Sequence, residues 1–322
     1  MALLSVRDLN VHIQDAHILR GVSFDVEPGD TLGVVGESGC GKSMTGLTLM
    51  GMLPRTARIT KGSVEFGGRD LTSISKKEWL KIRGQEISMV MQDPFTSLNP
   101  MMRVGDQIAE VFRLHHGQRR KEARANALEM LKKVGVPAPE DSYRKFQHQM
   151  SGGQRQRIVI AIAFASKPKL LIADEPTTAL DVTLQAQILH LLRDLQKQEN
   201  TAVILISHDI GVIGCLATNI AVYYAGRVVE FGRAEAVLKS PVHPYTQALL
   251  AALPRVGQER LASIGGQPPN LAKLPPGCSF APRCPKRFDA CKVEPGLLAL
   301  GQERLSACWL AQADSATPPA ES

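Results

Sequence analysis

The chain has 322 residues, 44% of them hydrophobic and 21% charged, which excludes a mini-protein scaffold, wholesale disorder and a collagen-like or low-complexity polymer. Lys and Arg total 38 against 31 Asp and Glu, a formal charge of +7; this permits anionic partners, but with aromatics at 5% and no basic run interleaved with them it gives nucleic acid no support as a partner. The longest apolar stretches, Ile158 to Ala165 and Ala202 to Ile206, fall short of the roughly 18 residues of a membrane-spanning helix, and the start lacks a basic segment followed by a long apolar run, so the expectation is a cytoplasmic protein that spans no membrane.

Strand-like runs bounded by turn residues recur at Thr31 to Val35, Ile87 to Met91, Leu170 to Ala173, Ala202 to Ile206 and Ile220 to Tyr224. Between several of them apolar residues fall at helical spacing, as in Leu128, Leu131 and Val134, or Ile188, Leu191, Leu192 and Leu195. That alternation predicts an α/β core. From Gln258 onward Gly and Pro pairs, four cysteines and an Ala/Pro/Ser tail predict a separate C-terminal extension with a disordered end.

Gly36-Glu37-Ser38-Gly39-Cys40-Gly41-Lys42-Ser43 fits G-x-x-x-x-G-K-[ST] between a strand-like and a helix-like segment. Such a loop turns its backbone N–H groups onto phosphates, and the following helix adds its N-terminal partial charge. Lys42 is expected to supply a mobile cation, and Ser43 to hold Mg²⁺ through its hydroxyl. The run Leu170 to Ala173 ends in two carboxylates, Asp174 and Glu175. After a P-loop these predict a metal-serving group, Asp174 acting on Mg²⁺ through a water, and a group that polarises attacking water, Glu175.

Met150-Ser151-Gly152-Gly153-Gln154 places a second anion-binding turn before a helix. Here the sequence resembles the ATP-binding-cassette ATPases, matching their signature except that Met150 replaces the usual leucine. Gln92, Ala179-Leu180-Asp181 and His208 follow in family order. The resemblance implies a P-loop nucleotide-binding domain with a RecA-like core and a helical signature subdomain. It also implies two ATP molecules sandwiched between two such subunits, the signature of one meeting the P-loop of the other. It gives Gln92 a contact to Mg²⁺ and water, Asp181 communication across the dimer, and His208 a hydrogen bond to the γ-phosphate. The aromatic residue on which the family often stacks adenine is missing; His12 and Ile13 stand in that region.

His243-Pro244-Tyr245-Thr246-Gln247 and Pro275-Pro276-Gly277-Cys278 through Pro285 resemble the extension of the dipeptide/oligopeptide importer ATPases. The domains implied are an ATPase over residues 1–257, with its helical subdomain at about 93–160, an extension over 258–310, and a disordered tail over 311–322. The partners implied are two transmembrane permease subunits, a second identical or homologous ATPase and, indirectly, a periplasmic or extracellular solute-binding protein. The implied location is peripheral, on the cytoplasmic face of a bacterial inner membrane. Related importers of nickel, glutathione or antimicrobial peptides carry similar segments. A soluble cassette ATPase of translation or repair is the rival, against which stand the single P-loop and the lack of sustained heptads.

Cys278, Cys284, Cys291 and Cys308 crowd the extension. Four thiols in a cytoplasmic setting predict a metal rather than disulfides. No C-x-x-C pair occurs, and the uneven spacing suits an iron–sulfur cube as well as a single ion. The resemblance favours 4Fe–4S, with Zn²⁺ as the alternative.

Overall fold

The computed structural model describes residues 2–178, 180–253, 264–301 and 304–315. They form two compact units. The first comprises residues 1–26, 31–72 and 205–322, and the second residues 27–30 and 73–204.

The first unit contains a four-stranded antiparallel sheet in the order Ala16–Val26, Leu4–Ile13, Ala57–Phe66, Arg69–Asp70. Along Leu4–Ile13 the buried residues are Leu4, Val6, Leu9 and Val11, so the two-residue period skips a step after Val6. The skip is a bulge, with the register shifting between Val6 and Leu9 and Asp8 in the left-handed region at φ 44°. Gly62 of the neighbouring strand faces this bulge, and a Cβ there would lie 2.3 Å from the Asp8 carbonyl oxygen. Only glycine lets the two backbones approach so closely.

The second sheet of this unit runs Leu298–Ala299, Arg304–Ser306, Arg227–Arg233, Asn219–Tyr224, Thr31–Val35. Its last pair is parallel and the others antiparallel. Every residue of Thr31–Val35 is buried, the pattern of a strand covered on both faces. Glu230, fully buried on Arg227–Arg233, accepts the backbone N–H groups of Val242 and His243, each at 3.0 Å, and Arg304 at 2.8 Å. These three donors compensate the carboxylate's desolvation and fasten the turn that starts the helix Pro244–Ala251.

The second unit carries the parallel pair Ile87–Val90 and Leu170–Asp174. The strand Ala202–Ser207 begins in this unit and ends in the first. The region expected to be helical holds Pro94–Ser97, Val104–His116, Arg120–Lys133, Pro139–Arg144 and Gly152–Phe164. Tyr143 packs where a Cβ on Gly105 would lie 2.1 Å from its ring, and its hydroxyl donates to Asp106 at 2.8 Å. Burial first, and then the Asp106 hydrogen bond, push the Tyr143 hydroxyl up to about 12.

Among the described residues no helix is long and apolar enough to cross a membrane. The expected boundary at 257/258 lies in residues 254–263, outside the described residues. The tail expected to lack structure from 311 instead begins within the helix Trp309–Ser315, which continues the apolar run Trp309, Leu310, Ala311; residues 316–322 lie outside the described residues.

Candidate functional site

Gly36 to Ser43 connect the buried strand Thr31–Val35 to the helix Lys42–Leu49. Two glycines explain the loop's path. A Cβ on Gly36 would lie 2.3 Å from the Tyr223 carbonyl oxygen. Gly41 caps the helix at φ 103°, where a Cβ would crowd the Ile18 carbonyl at 3.1 Å. The Lys42 side chain folds into this turn, and its ammonium donates to the carbonyls of Gly36 at 2.8 Å and Glu37 at 3.0 Å. Lys42 is only 5% exposed. Burial pushes the neighbouring Cys40 thiol up, which keeps it protonated and unreactive. A cavity of about 390 Å³ has the loop residues 37–40 on one side and residues 268–271 on another. Ser38, Gly39 and Ser43 complete the loop, and a Cβ on Gly39 would meet nothing within 4 Å. His208, in the same unit, is exposed just beyond Ala202–Ser207.

Gln92, Ser151 to Gln154, Asp174, Glu175 and Asp181 belong to the second unit. Asp174 is 6% exposed at the end of Leu170–Asp174. Glu175 follows at φ 47°, a left-handed conformation that costs a non-glycine residue of order 1 kcal/mol or more and persists where its surroundings enforce it. Its Oε2 accepts from Gln92 Nε2 at 2.9 Å and from the Thr178 hydroxyl at 2.9 Å. The structure thus brings together Gln92 and Glu175. It adds Thr178, which sequence reasoning missed; a threonine three residues after a candidate base, within one turn, was the available signal.

Ser151 caps the helix Gly152–Phe164 with a reciprocal box: its hydroxyl accepts from the Gln154 N–H at 3.3 Å, and its own N–H donates to the Gln154 side chain at 3.1 Å. Asp181 caps Val182–Glu199 by accepting from Leu184 N–H at 2.9 Å. A Cβ on Gly153 would touch Leu184 at 3.3 Å, so the starts of these two helices pack closely. Ala179 lies outside the described residues. In the first unit the His12 ring stacks on His17 with centroids 4.0 Å apart, in place of the missing aromatic, and Ile13 ends the same strand.

The cysteine expectation is corrected. Among the described residues no group of three or more His, Cys, Asp or Glu is arranged to hold a metal ion, so neither the 4Fe–4S cluster nor Zn²⁺ is supported at Cys278, Cys284, Cys291 and Cys308. All four are free thiols on one cavity of about 20 Å³ that Phe280, Phe288 and Trp309 also line, a volume on the scale of a single water. Burial pushes the thiols of Cys278 and Cys284 up, favouring the protonated form over the thiolate that metals require. Their crowding in the sequence reflects shared packing.

The ABC transporter family matches residues 19–178, and the oligopeptide/dipeptide transporter C-terminal region matches residues 229–291. The dipeptide transport ATP-binding protein DppD of Bacillus subtilis is 47% identical over 96% of this chain and 94% of its own length. The oligopeptide transport ATP-binding protein OppD of Salmonella typhimurium is 47% identical over 95% and 93%. Among solved structures, a dimeric ATP-binding cassette in a post-hydrolysis state with ADP and Pi aligns with a TM-score of 0.64 at 25% identity, over 72% of this chain and 98% of that one. The cbiO1 subunit of a Clostridium perfringens ABC transporter aligns at 0.66 and 28% identity, over 74% and 91%. With a P-loop strand, turn and helix in place and relatives of this identity along nearly its whole length, the chain belongs to the ABC transporter family, as an ATP-binding protein carrying the oligopeptide/dipeptide transporter C-terminal region.

Proposed function

We propose that the chain is the ATP-hydrolysing subunit that energises import of dipeptides or oligopeptides through a membrane ABC transporter, converting ATP and water to ADP and phosphate. The observation that carries this reading is the Gly36 to Ser43 loop closed on a buried Lys42, in a chain whose residues 229–291 match the peptide-transporter C-terminal region. The roles follow from the chemistry of each group. Loop N–H groups from Ser38 to Ser43 receive the β- and γ-phosphates, and Lys42 exchanges its two carbonyl partners for phosphate oxygens. Glu175, oriented by Gln92 and Thr178, accepts a proton from the attacking water. His208 hydrogen-bonds the γ-phosphate.

Ser43, Gln92 and Asp174 offer the hard oxygen donors that suit Mg²⁺, and Asp174 stands buried at a strand end. Bound there, Mg²⁺ supplies charge neutralisation of the phosphates. Ser151, Gly152, Gly153 and Gln154 offer a helix N-terminus to the nucleotide of a second, identical or homologous ATPase subunit, with Asp181 at the neighbouring helix start. The reading includes two permease subunits as partners, a solute-binding protein acting through them, and a peripheral place on the cytoplasmic face of the membrane. It also takes residues 1–257 as the ATPase domain and 258–310 as the extension. ATP hydrolysis by the purified chain, measured as phosphate release with Mg²⁺, tests the enzymatic half: release that matches a Lys42→Ala control contradicts it.

A further inference from the structure

Glu37, the second residue of the P-loop, is held by the C-terminal segment. Arg283 donates from Nη1 and Nη2 to the two Glu37 carboxylate oxygens at 2.6 and 2.9 Å. The Arg283 side chain is 5% exposed and that of Glu37 23%, so this is a largely desolvated, two-pronged pair rather than a surface contact. The guanidinium is itself fixed: Nε donates to the Gly265 carbonyl at 2.8 Å, Nη2 to that of Ile264 at 3.3 Å, and Nη1 to the Tyr224 hydroxyl at 3.4 Å. The backbone of Glu37 is held as well. Its N–H donates to the Tyr245 hydroxyl at 2.9 Å, and its carbonyl accepts Lys42. Tyr245 packs with Phe280 of the segment, ring centroids 5.4 Å apart, and with Tyr224 at 4.6 Å. Carboxylate, amide and carbonyl of one loop residue are thus each tied, two of them to groups more than 200 positions away in sequence.

We propose that Arg283 is a positioning residue of the nucleotide site: through Glu37 it straps the C-terminal segment to the P-loop, holds the loop in its phosphate-receiving shape, and cancels a carboxylate charge that otherwise opposes an incoming polyphosphate. This rests on the P-loop reading above. Two physical effects act in one direction. A P-loop binds through N–H groups fixed before the ligand arrives, so restraining Glu37 lowers the ordering cost of binding. An uncompensated carboxylate in the loop repels phosphate, and the guanidinium beside it removes most of that repulsion. The hydrogen bonds that Arg283 donates to Glu37 hold its pKa above its ordinary value, so the strap stays charged across the physiological range.

The test is MgATP affinity of the full-length chain, by calorimetric titration, for the wild type, Arg283→Gln, Arg283→Lys, Glu37→Gln and the Arg283→Gln/Glu37→Gln double variant. Loss of a charge-assisted pair weakens binding about tenfold in Arg283→Gln, and Arg283→Lys falls between it and the wild type. Because the same strap is cut in both, the double variant binds no more weakly than Arg283→Gln. An Arg283→Gln affinity within about twofold of wild type, or a double variant weaker than Arg283→Gln, overturns the proposal, as does a lowered unfolding temperature with unchanged affinity. If Arg283→Gln does not fold, Arg283→Lys decides, since it keeps the cation and loses the two-pronged geometry: about threefold or more weakening supports the strap and wild-type affinity overturns it. A wild type that binds no better than Lys42→Ala fails the P-loop reading itself, and the strap with it.

Discussion

The side-chain amide of Gln92 donates to Glu175 Oε2 at 2.9 Å although 83 positions separate them. The parallel pairing of Ile87–Val90 with Leu170–Asp174 creates this contact, because the two residues follow the ends of neighbouring strands that run the same way. Parallel strands place their C-terminal ends together, the usual location of ligand chemistry in open α/β sheets. Glu175→Gln keeps the shape of the side chain and removes its basicity. The expected outcome is retained MgATP binding with hydrolysis slowed by about 100-fold or more, checked by single-turnover phosphate release. Hydrolysis at the wild-type rate removes Glu175 from the chemistry.

Thr178 offers a finer probe. Its hydroxyl is the second donor to Glu175 Oε2, so Thr178→Val removes a hydrogen bond to a charged group at nearly constant volume. A loss of about 1.5–3 kcal/mol of orientation lowers kcat by roughly ten- to a hundredfold and leaves KM for ATP unchanged. A raised KM at constant kcat shows that Thr178 serves binding instead.

Lys42→Ala deletes a buried ammonium that bridges two loop carbonyls. Phosphate charge then goes uncompensated and the loop loses an internal tie, so MgATP affinity falls by about two orders of magnitude or more. Equilibrium binding of a fluorescent ATP analogue checks this.

Thr31–Val35, Leu170–Asp174 and Ala202–Ser207 were legible because they are continuous buried runs, whose apolar character needs no partner to be seen. Leu4–Ile13 was not, because the bulge at Asp8 breaks its two-residue period. The P-loop and the carboxylate pair were legible through local spacing. The Arg283 contact to Glu37, 246 positions apart, has no local pattern to announce it. The four extension cysteines misled for the opposite reason: nearness in sequence reads as a ligand set, while in the fold they line one small cavity with Phe280, Phe288 and Trp309, and burial pushes the thiols of Cys278 and Cys284 up.

Ser151→Arg places a long cation at the start of Gly152–Phe164 and breaks the capping box with Gln154, at a cost of about 1 kcal/mol. The P-loop of the same chain is untouched. The chain therefore binds ATP but does not form ATP-dependent dimers, as light scattering with MgATP in the Glu175→Gln background shows. Unimpaired dimerisation contradicts a composite site.

His243 gives the first unit a pH dependence. It is 2% exposed, its Nδ1 accepts from Tyr245 N–H at 3.1 Å, and burial pushes its pKa down to about 4. The unfolded chain takes up this proton below about 6.5 and the folded chain only below about 4, so the stabilisation is complete above pH 6.5 and is lost as pH falls towards 4. His243→Asn keeps a capping acceptor without the titration. Its denaturation midpoint is expected to vary less between pH 7 and 5 than that of the wild type, and equal slopes contradict the assignment.

Whether ATP hydrolysis by this chain drives peptide import is measured by reconstituting it with candidate permease subunits and a partner ATPase in liposomes and following uptake of a labelled dipeptide or oligopeptide. The expected uptake requires ATP, rises with peptide-stimulated phosphate release, and disappears with Glu175→Gln. Uptake that continues undiminished with Glu175→Gln, or phosphate release that no peptide alters while transport proceeds, contradicts it.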